Sequence, residues 1–373
     1  MKFKKVSSLI FIFFLVGCGS IPVSVSTPAQ TKPASTIAPI ATNTFQPTEM
    51  FIFLPTPTST IPPTSNISEI TISSEDNRIT LKGFRNPIYW LFWSKDDEML
   101  FIGTSKEFIV YDMANKKINV NLEFDYFAHS FVLSRDEQVL AIYNENHVIR
   151  LVNPRTGNIL KTIYAMPYFP ALSLSPDGKT LAFVGNEGQI ILLDTSTGKE
   201  ITQLPDGVYG VGYLSFSPDG NWLMASSSTD YSFRVWKTNS WELQRTFYCD
   251  FFAFVFSPNG NQFAAFRNGA IDDRSGIKKE NGVWDFASGK KLFTLSSDLP
   301  QAWAPTTVAY DSKGTYIAAE GTIYDANTGK HLHQFTGEGQ VTSLTFNSDG
   351  TKLAVALDVD NIGEIVIWDI SQP

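Results

Sequence analysis

The sequence predicts an all-β protein, a seven-bladed β-propeller of four-stranded blades, with the last blade closed by an N-terminal strand. Three observations carry this. A Ser-Pro-Asp-Gly-like turn recurs seven times, beginning at Ser94, Ser134, Ser175, Ser217, Ser257, Asp311 and Asn347, with spacings of 40, 41, 42, 40, 54 and 36 residues. Each copy then ends a third strand on an apolar–polar pair: Tyr111-Asp112, Val152-Asn153, Leu193-Asp194, Trp236-Lys237, Trp284-Asp285, Tyr324-Asp325 and Trp368-Asp369. The composition, 43% hydrophobic and 18% charged with 29 Phe, is globular and rich in side chains that suit pleated, half-buried surfaces. A supersecondary unit repeated at a period of about 40 residues marks a ring of blades, none of which covers its own faces alone.

Each element follows one phrase, cleanest over residues 171–204. An apolar strand leads into Ser175-Pro176-Asp177-Gly178, a second strand follows, a third ends at Leu193-Asp194, and Thr197-Gly198-Lys199 turns into a fourth. Pro176, Pro218 and Pro258 preset φ at the second turn position, and Asp or Asn followed by Gly makes the tight return. The last copy stops early: only Ile370-Ser371-Gln372-Pro373 follows Trp368-Asp369, so its fourth strand is missing. Residues 76–81, Asp-Asn-Arg-Ile-Thr-Leu, repeat the turn-plus-fourth-strand phrase. Ile79 to Leu81 is therefore expected to form the outer strand of the last blade, extended by Thr71-Ile72, which removes an open sheet edge. Blade five carries an insertion at residues 267–282 that reads as a solvated loop, and its carboxylates lack the alternate spacing of a Ca²⁺ loop. In blade six, Glu320-Gly321 alone separates the second and third strands.

The propeller occupies residues 67–373. Ahead of it, residues 1–17 carry Lys2, Lys4 and Lys5 and then an apolar run at 6–16 interrupted only by Ser7 and Ser8. A basic start and a short apolar core describe a secretory signal peptide, and the run is shorter than the ~20 residues a bilayer span needs. It ends Leu15-Val16-Gly17-Cys18, which resembles the bacterial lipoprotein signal. That resemblance implies cleavage before Cys18, lipidation of its thiol and a membrane partner reached through the lipid, on the extracytoplasmic side of the cell membrane. More than one acyl chain makes such an anchor stable. Residues 18–66, rich in Pro, Thr and Ser, read as a disordered, semi-stiff stalk. Cys249 then has no intrachain partner and reads as a small apolar filler.

The seven turns, the Trp-Asp pairs at 284 and 368 and the Thr/Ser-Gly-Lys turns resemble the WD-repeat family. The chain as a whole is similar to a divergent WD-repeat β-propeller lipoprotein of bacteria. The Gly-His pair that opens typical family repeats is absent, which implies that the family's buried His–Ser–Trp network does not form here.

The function expected is binding, not catalysis. The net charge of −8 becomes −11 once the three leader lysines are removed, so no electrostatic footprint for nucleic acid exists. There is no Gly-x-Ser-x-Gly elbow and no phosphate-cradling loop. His331 and His333 share a strand face but lack a third ligand, so no metal site and no cofactor are expected. The connections entering the blades are aromatic, with Tyr126, Phe127 and Tyr164 among them, and Tyr168, Tyr209 and Trp303 are the candidate binding rim. The expected role is a membrane-anchored extracytoplasmic scaffold for an unknown protein or carbohydrate partner. The alternative is a quinoprotein-like or other small-molecule enzyme using the propeller channel. Residues 193–199 and 324–330 also resemble quinoprotein dehydrogenase repeats, but the stretches 200–204 and 331–335 lack the tryptophan that docks blades in that class.

Overall fold

The turns divide the chain into short strands that pair in sequence order. The computed structural model describes residues 70–371, apart from 76–77, 166–170, 205–209, 228, 231, 249–252, 267–280, 296–306, 320 and 336–338. The chain enters as a hairpin of β1 (Thr71–Glu75) and β2 (Arg78–Lys82). Blade 1 follows with β3 (Ile88–Trp93), β4 (Met99–Thr104), β5 (Glu107–Asp112) and β6 (Lys117–Glu123), and blade 2 with β7 (Ala128–Leu133), β8 (Leu140–Asn144), β9 (Val148–Val152) and β10 (Ile159–Tyr164). Blade 3 contains β11 (Leu172–Leu174), β12 (Thr180–Val184), β13 (Ile190–Asp194) and β14 (Glu200–Leu204). Blade 4 contains β15 (Val211–Phe216), β16 (Trp222–Ser227), β17 (Ser232–Lys237) and β18 (Glu242–Tyr248). Blade 5 is built from β19 (Ala253–Phe256), β20 (Gln262–Phe266), β21 (Gly282–Asp285) and β22 (Lys291–Thr294). Blade 6 is built from β23 (Val308–Tyr310), β24 (Tyr316–Ala319), β25 (Thr322–Asp325) and β26 (His331–Gln334). Blade 7 holds β27 (Gln340–Phe346), β28 (Lys352–Val359) and β29 (Ile362–Asp369), with β2 and then β1 added outside β29.

The expected closure is therefore present. β2 pairs antiparallel with β29, Ile79 opposite Ile367 and Leu81 opposite Ile365. Thr71 and Ile72 do not lengthen that strand; they belong to a fifth strand folded back on β2, with Ile72 opposite Leu81. Lys82 Nζ reaches Glu364 at 2.9 Å, and the Arg78 guanidinium lies over the Trp368 ring.

First strands pack beside first strands, β3 on β27, β27 on β23 and so on to β11 on β7, so they make the inner ring. The apolar core is divided among the joints between blades. One cluster joins blades 7 and 1 through Leu81, Leu91, Ile109 and Ile365. Another joins blades 4 and 5 through Phe233, Phe254, Phe256 and Phe286, with edge-to-face ring contacts of 5.2 Å for Phe233–Phe254 and Phe256–Phe286. Each sheet thus buries both faces against its neighbours.

The first turn of every blade is wired alike. Its leading side chain is buried and accepts the N–H five residues on: Met99 to Ser94, Thr180 to Ser175 and Lys352 to Asn347, at 2.8–2.9 Å. In the serine blades the hydroxyl also donates to the residue two further on, as Ser175 does to Asp177 at 2.7 Å. The fourth turn residue is left-handed throughout. It is glycine in five blades but Asp97 (φ 58°) and Glu137 (φ 58°) in blades 1 and 2. Those two side chains tie neighbouring blades together. Asp97 accepts the Ser348 N–H and hydroxyl, each at 2.7 Å, and Glu137 accepts the Lys95 N–H at 2.6 Å. The outer strands of blades 1–6 each carry a bulge just after their turn, which twists an exposed edge away from further pairing.

Candidate functional site: an aromatic rim on the blade-entry face

In an antiparallel meander the connections into each blade and the turns between second and third strands emerge on one face. Hydrogen bonds join them here. Phe124 N–H donates to Lys106 O and Ala128 N–H to Ser105 O, both at 2.8 Å; Glu145 N–H donates to Phe127 O at 2.9 Å, and Ala165 N–H to His147 O at 3.0 Å.

The large exposed apolar side chains separate by chemistry. The aromatic ones, Tyr89, Tyr126, Phe127, Tyr164 and Tyr213, all lie at this entry face, with Tyr126 45% and Phe127 46% exposed. The aliphatic ones, Ile159, Leu160, Ile201, Leu243 and Leu292, begin outer strands at the opposite end, and Ile362 is the exception. Bulges in the inner strands help set the rim: Tyr89 in β3 and His129 in β7 are the extra residues, and both are exposed. A bulge re-aims a side chain that a regular ladder would hold in the sheet. In β27 the bulged residue is Thr342, buried and donating to the Ile88 carbonyl of blade 1.

Between blades 1 and 2 the rim carries charge. Lys106 Nζ sits 4.0 Å from the Phe127 ring centroid and donates to Asp125 O at 3.3 Å. Phe127 N–H donates to Glu145 Oε1 at 3.3 Å. The His129 ring lies 5.9 Å from that of Tyr143, whose hydroxyl is 3.4 Å from His147 Nδ1. Glu107 is 8% exposed and stands opposite Glu123 in the β5–β6 ladder. Burial, reinforced by Glu123 and opposed by Arg85, pushes its carboxyl pKa up. Burial and the charge of Asp358 push the Tyr89 phenol up as well.

The opposite face behaves otherwise. There Asp194 is drawn down to about 2 by the Ser196 hydroxyl and by the N–H and hydroxyl of Thr197. Asp112, Asp285, Asp325 and Asp369 are lowered in the same manner by their own turns. Partial burial opposes the effect at Asp96, Asp177 and Asp219, which hydrogen bonds nonetheless hold low.

Tyr168, Tyr209, Trp303 and the lipidation candidate Cys18 lie outside the described residues, as does nearly all of the 267–282 insertion. Tyr126, Phe127 and Tyr164, from the same class of connection, are brought to the rim. Tyr89, Tyr213, His129 and Glu107 join them without a signal in the sequence reading, because they sit inside strand-like runs. His331 and His333 are exposed on β26, beside Tyr324 and Phe335. Among the described residues no three His, Cys, Asp or Glu side chains gather as metal ligands, and no helix is long and apolar enough to cross a membrane.

Six four-stranded antiparallel sheets and one five-stranded, in a ring, joined face to face and without a metal-ligand cluster among the described residues, define a β-propeller whose exposed chemistry is a rim. The family model for the WD domain, G-beta repeat, matches residues 198–237 and 329–362, which span the fourth strand of blade 3 with the first three strands of blade 4, and the fourth strand of blade 6 with the first two strands of blade 7. The chain is a seven-bladed β-propeller, and part of it is similar to WD repeats. It is 28% identical over 138 residues to an uncharacterized WD repeat-containing protein of Synechocystis, covering 37% of this chain and 36% of that one. It is 36% identical over 69 residues to the small ribosomal subunit protein RACK1 of Caenorhabditis elegans, and 36% identical over 73 residues to that of Glycine max. Those two matches cover 18% and 20% of this chain and 20% and 22% of the relatives, so the chain spans well under half the length of the relatives it matches. Propellers of this class are typically non-enzymatic protein-interaction scaffolds.

Proposed function

We propose that this chain is a lipid-anchored, extracytoplasmic docking scaffold that holds a protein partner on its blade-entry face. The observation that carries the proposal is the segregation of exposed rings: every large exposed aromatic of the described residues lies on that face. Rigid aromatic side chains give large contact area for little lost entropy and dominate protein interfaces. Residues 18–66 serve as the spacer between the lipid on Cys18 and the propeller, and Tyr168, Tyr209 and Trp303, outside the described residues, remain candidates for partner contact from the sequence alone. The RACK1 relatives are named as proteins of the small ribosomal subunit, that is, as members of a larger assembly.

The test is crosslinking of the full chain in its native cells, followed by identification of what is captured. Y126A with F127A and Y164A is expected to lose the captured partner, whereas I201S with L292S, on the outer strands, keeps it. An unchanged partner in the rim variant overturns the reading. For the anchor, C18A is expected to move the protein from the membrane fraction to the soluble one and to abolish labelling by a palmitate analogue; retention in the membrane with no lipid label refutes it.

A further inference from the structure

The carboxylates of the two faces are treated differently by the fold. On the turn face the turn aspartates are consumed internally, accepting N–H and hydroxyl donors of their own turns, and Asp97 and Glu137 accept donors of neighbouring blades. On the entry face of blades 7, 1 and 2 the carboxylates outnumber the cations, although Asp358 accepts the Asn361 N–H and Glu145 the Phe127 N–H. Setting aside the Lys82–Glu364 ion pair, the described residues there carry Asp358, Asp360, Glu107, Glu123, Asp125 and Glu145 against Arg85 and Lys106. Glu107 is the informative one. It is more than nine-tenths buried, faces a second carboxylate across the ladder, and makes no ion pair with a cation among the described residues, Arg85 acting on it only from further off. A nearly buried carboxylate without an ion-pair partner is costly, and the cost falls when a cation arrives with hydrogen-bond donors. The neighbouring rings already show what they accept: Phe127 holds the Lys106 ammonium over its face, while Tyr126 beside it remains exposed.

We infer that this sector docks a cationic segment of a protein partner, its Lys or Arg side chains set among Glu107, Glu123, Asp125 and Glu145 and against the rings of Tyr126 and Phe127. The inference rests on the reading of this face as a protein-docking surface. Aromatic faces and carboxylates together select a guanidinium or ammonium over a neutral or anionic group. Anionic and neutral partners are excluded by the same charges, so the surface discriminates by repulsion as well as by attraction.

The experiment is fluorescence anisotropy of short labelled oligoarginine and oligoglutamate peptides with the full-length protein, across a salt series. Oligoarginine is expected to bind and to weaken steadily as salt rises, and oligoglutamate not to bind. E107Q with D125N and E145Q keeps the shapes and acceptors but removes the charges, and is expected to weaken oligoarginine binding about tenfold or more. Y126A with F127A is expected to do the same. The control is D177N with D219N and D349N on the turn face; blade 5 already has Asn259 at that position, so the turns tolerate the change, and binding is expected to stay as in the parent. Equal losses from the two triple variants show attraction to bulk charge and overturn the inference, as does oligoarginine binding that ignores the first triple. Native crosslinking separates the two readings. Capture that needs Tyr126 and Phe127, with no oligoarginine binding, sinks the cationic inference alone; capture indifferent to those rings sinks both. Circular dichroism melts of each variant confirm that losses are not unfolding.

Discussion

Leu81 is where the first strand of the propeller enters the joint between its last and first blades, and L81A measures what that closure contributes. Leu81 is 0% exposed and packs with Leu91, Ile102 and Ile109 of blade 1 and with Ile365 and Ile367 of blade 7. Truncation removes roughly three methyl or methylene groups, at about 0.8 kcal/mol each. A rigid joint between two sheets collapses poorly, and an unfilled volume of about 50 Å³ at ~24 cal/mol per Å³ adds ~1.2 kcal/mol. The expected loss is about 3.5 kcal/mol, inside the range for buried leucines. I201A is the comparison. Ile201 is also on an outer strand but is 47% exposed, and its loss is expected to stay under about 1 kcal/mol. Urea unfolding followed by the fluorescence of the eight tryptophans reads both as midpoint shifts at unchanged slope. If L81A costs no more than I201A, β2 is an ornament on the sheet edge and the closure argument is wrong.

Three further outcomes are expected. Deleting residues 67–81 leaves a domain that aggregates or lacks a cooperative melt; a sharp, unshifted transition refutes the closure outright. Lys116 is exposed and left-handed at φ 53°, where blades 2, 3, 5 and 6 have glycine, so K116G is expected to raise stability by about 0.5–1 kcal/mol in urea titrations; D97G at a like φ is expected to lower it, because the two Ser348 contacts are lost. The turn aspartates have depressed folded-state pKa values, so their contribution is complete above the unfolded value near 4 and is lost as pH falls through the folded values, about 2 for Asp194. Thermal melts between pH 5 and 2 should therefore fall more steeply for the parent chain than for D194N, and equal slopes would contradict the assignment.

The architecture was legible because its determinants are local. Ser, Pro, Asp and Gly at turn positions act through their own backbones, so seven turns announce seven blades, and the Asn77-Arg78-Ile79-Thr80-Leu81 phrase reads as an outer strand wherever it stands. The rim was legible only where rings fall in connections, as Tyr126 and Phe127 do. Tyr89 and Tyr213 sit in Ile-Tyr-Trp-Leu-Phe-Trp and Val-Gly-Tyr-Leu-Ser-Phe runs that read as buried inner strands. What exposes Tyr89 is a bulge, a property of the pairing partner as much as of the strand. Glu107 is hidden for a related reason: it opens a strand-like run, and the carboxylate it meets, Glu123, is set by the β5–β6 register, which no local pattern reports. The Asp97 and Glu137 ties are likewise invisible in their own turns, since both look like poor substitutes for glycine until the adjacent blade is in place.

The β2–β29 pairing has a consequence in time. Residues 78–81 are made before blade 1, and their partners, Ile365 to Trp368, only with the third strand of blade 7. A strand made ahead of blade 1 meets its blade only after the other six are complete. Until the final blade emerges, blade 1 has no neighbour on one side and β2 has only β1 to pair with, so six blades wait as an open arc with apolar faces uncovered at both ends. Such non-local closure slows folding and lengthens the interval in which sheet edges can meet the wrong chain. Loss of even the last dozen residues would leave the arc open for good, and a partner on the entry face would find no finished rim until the whole chain has been made.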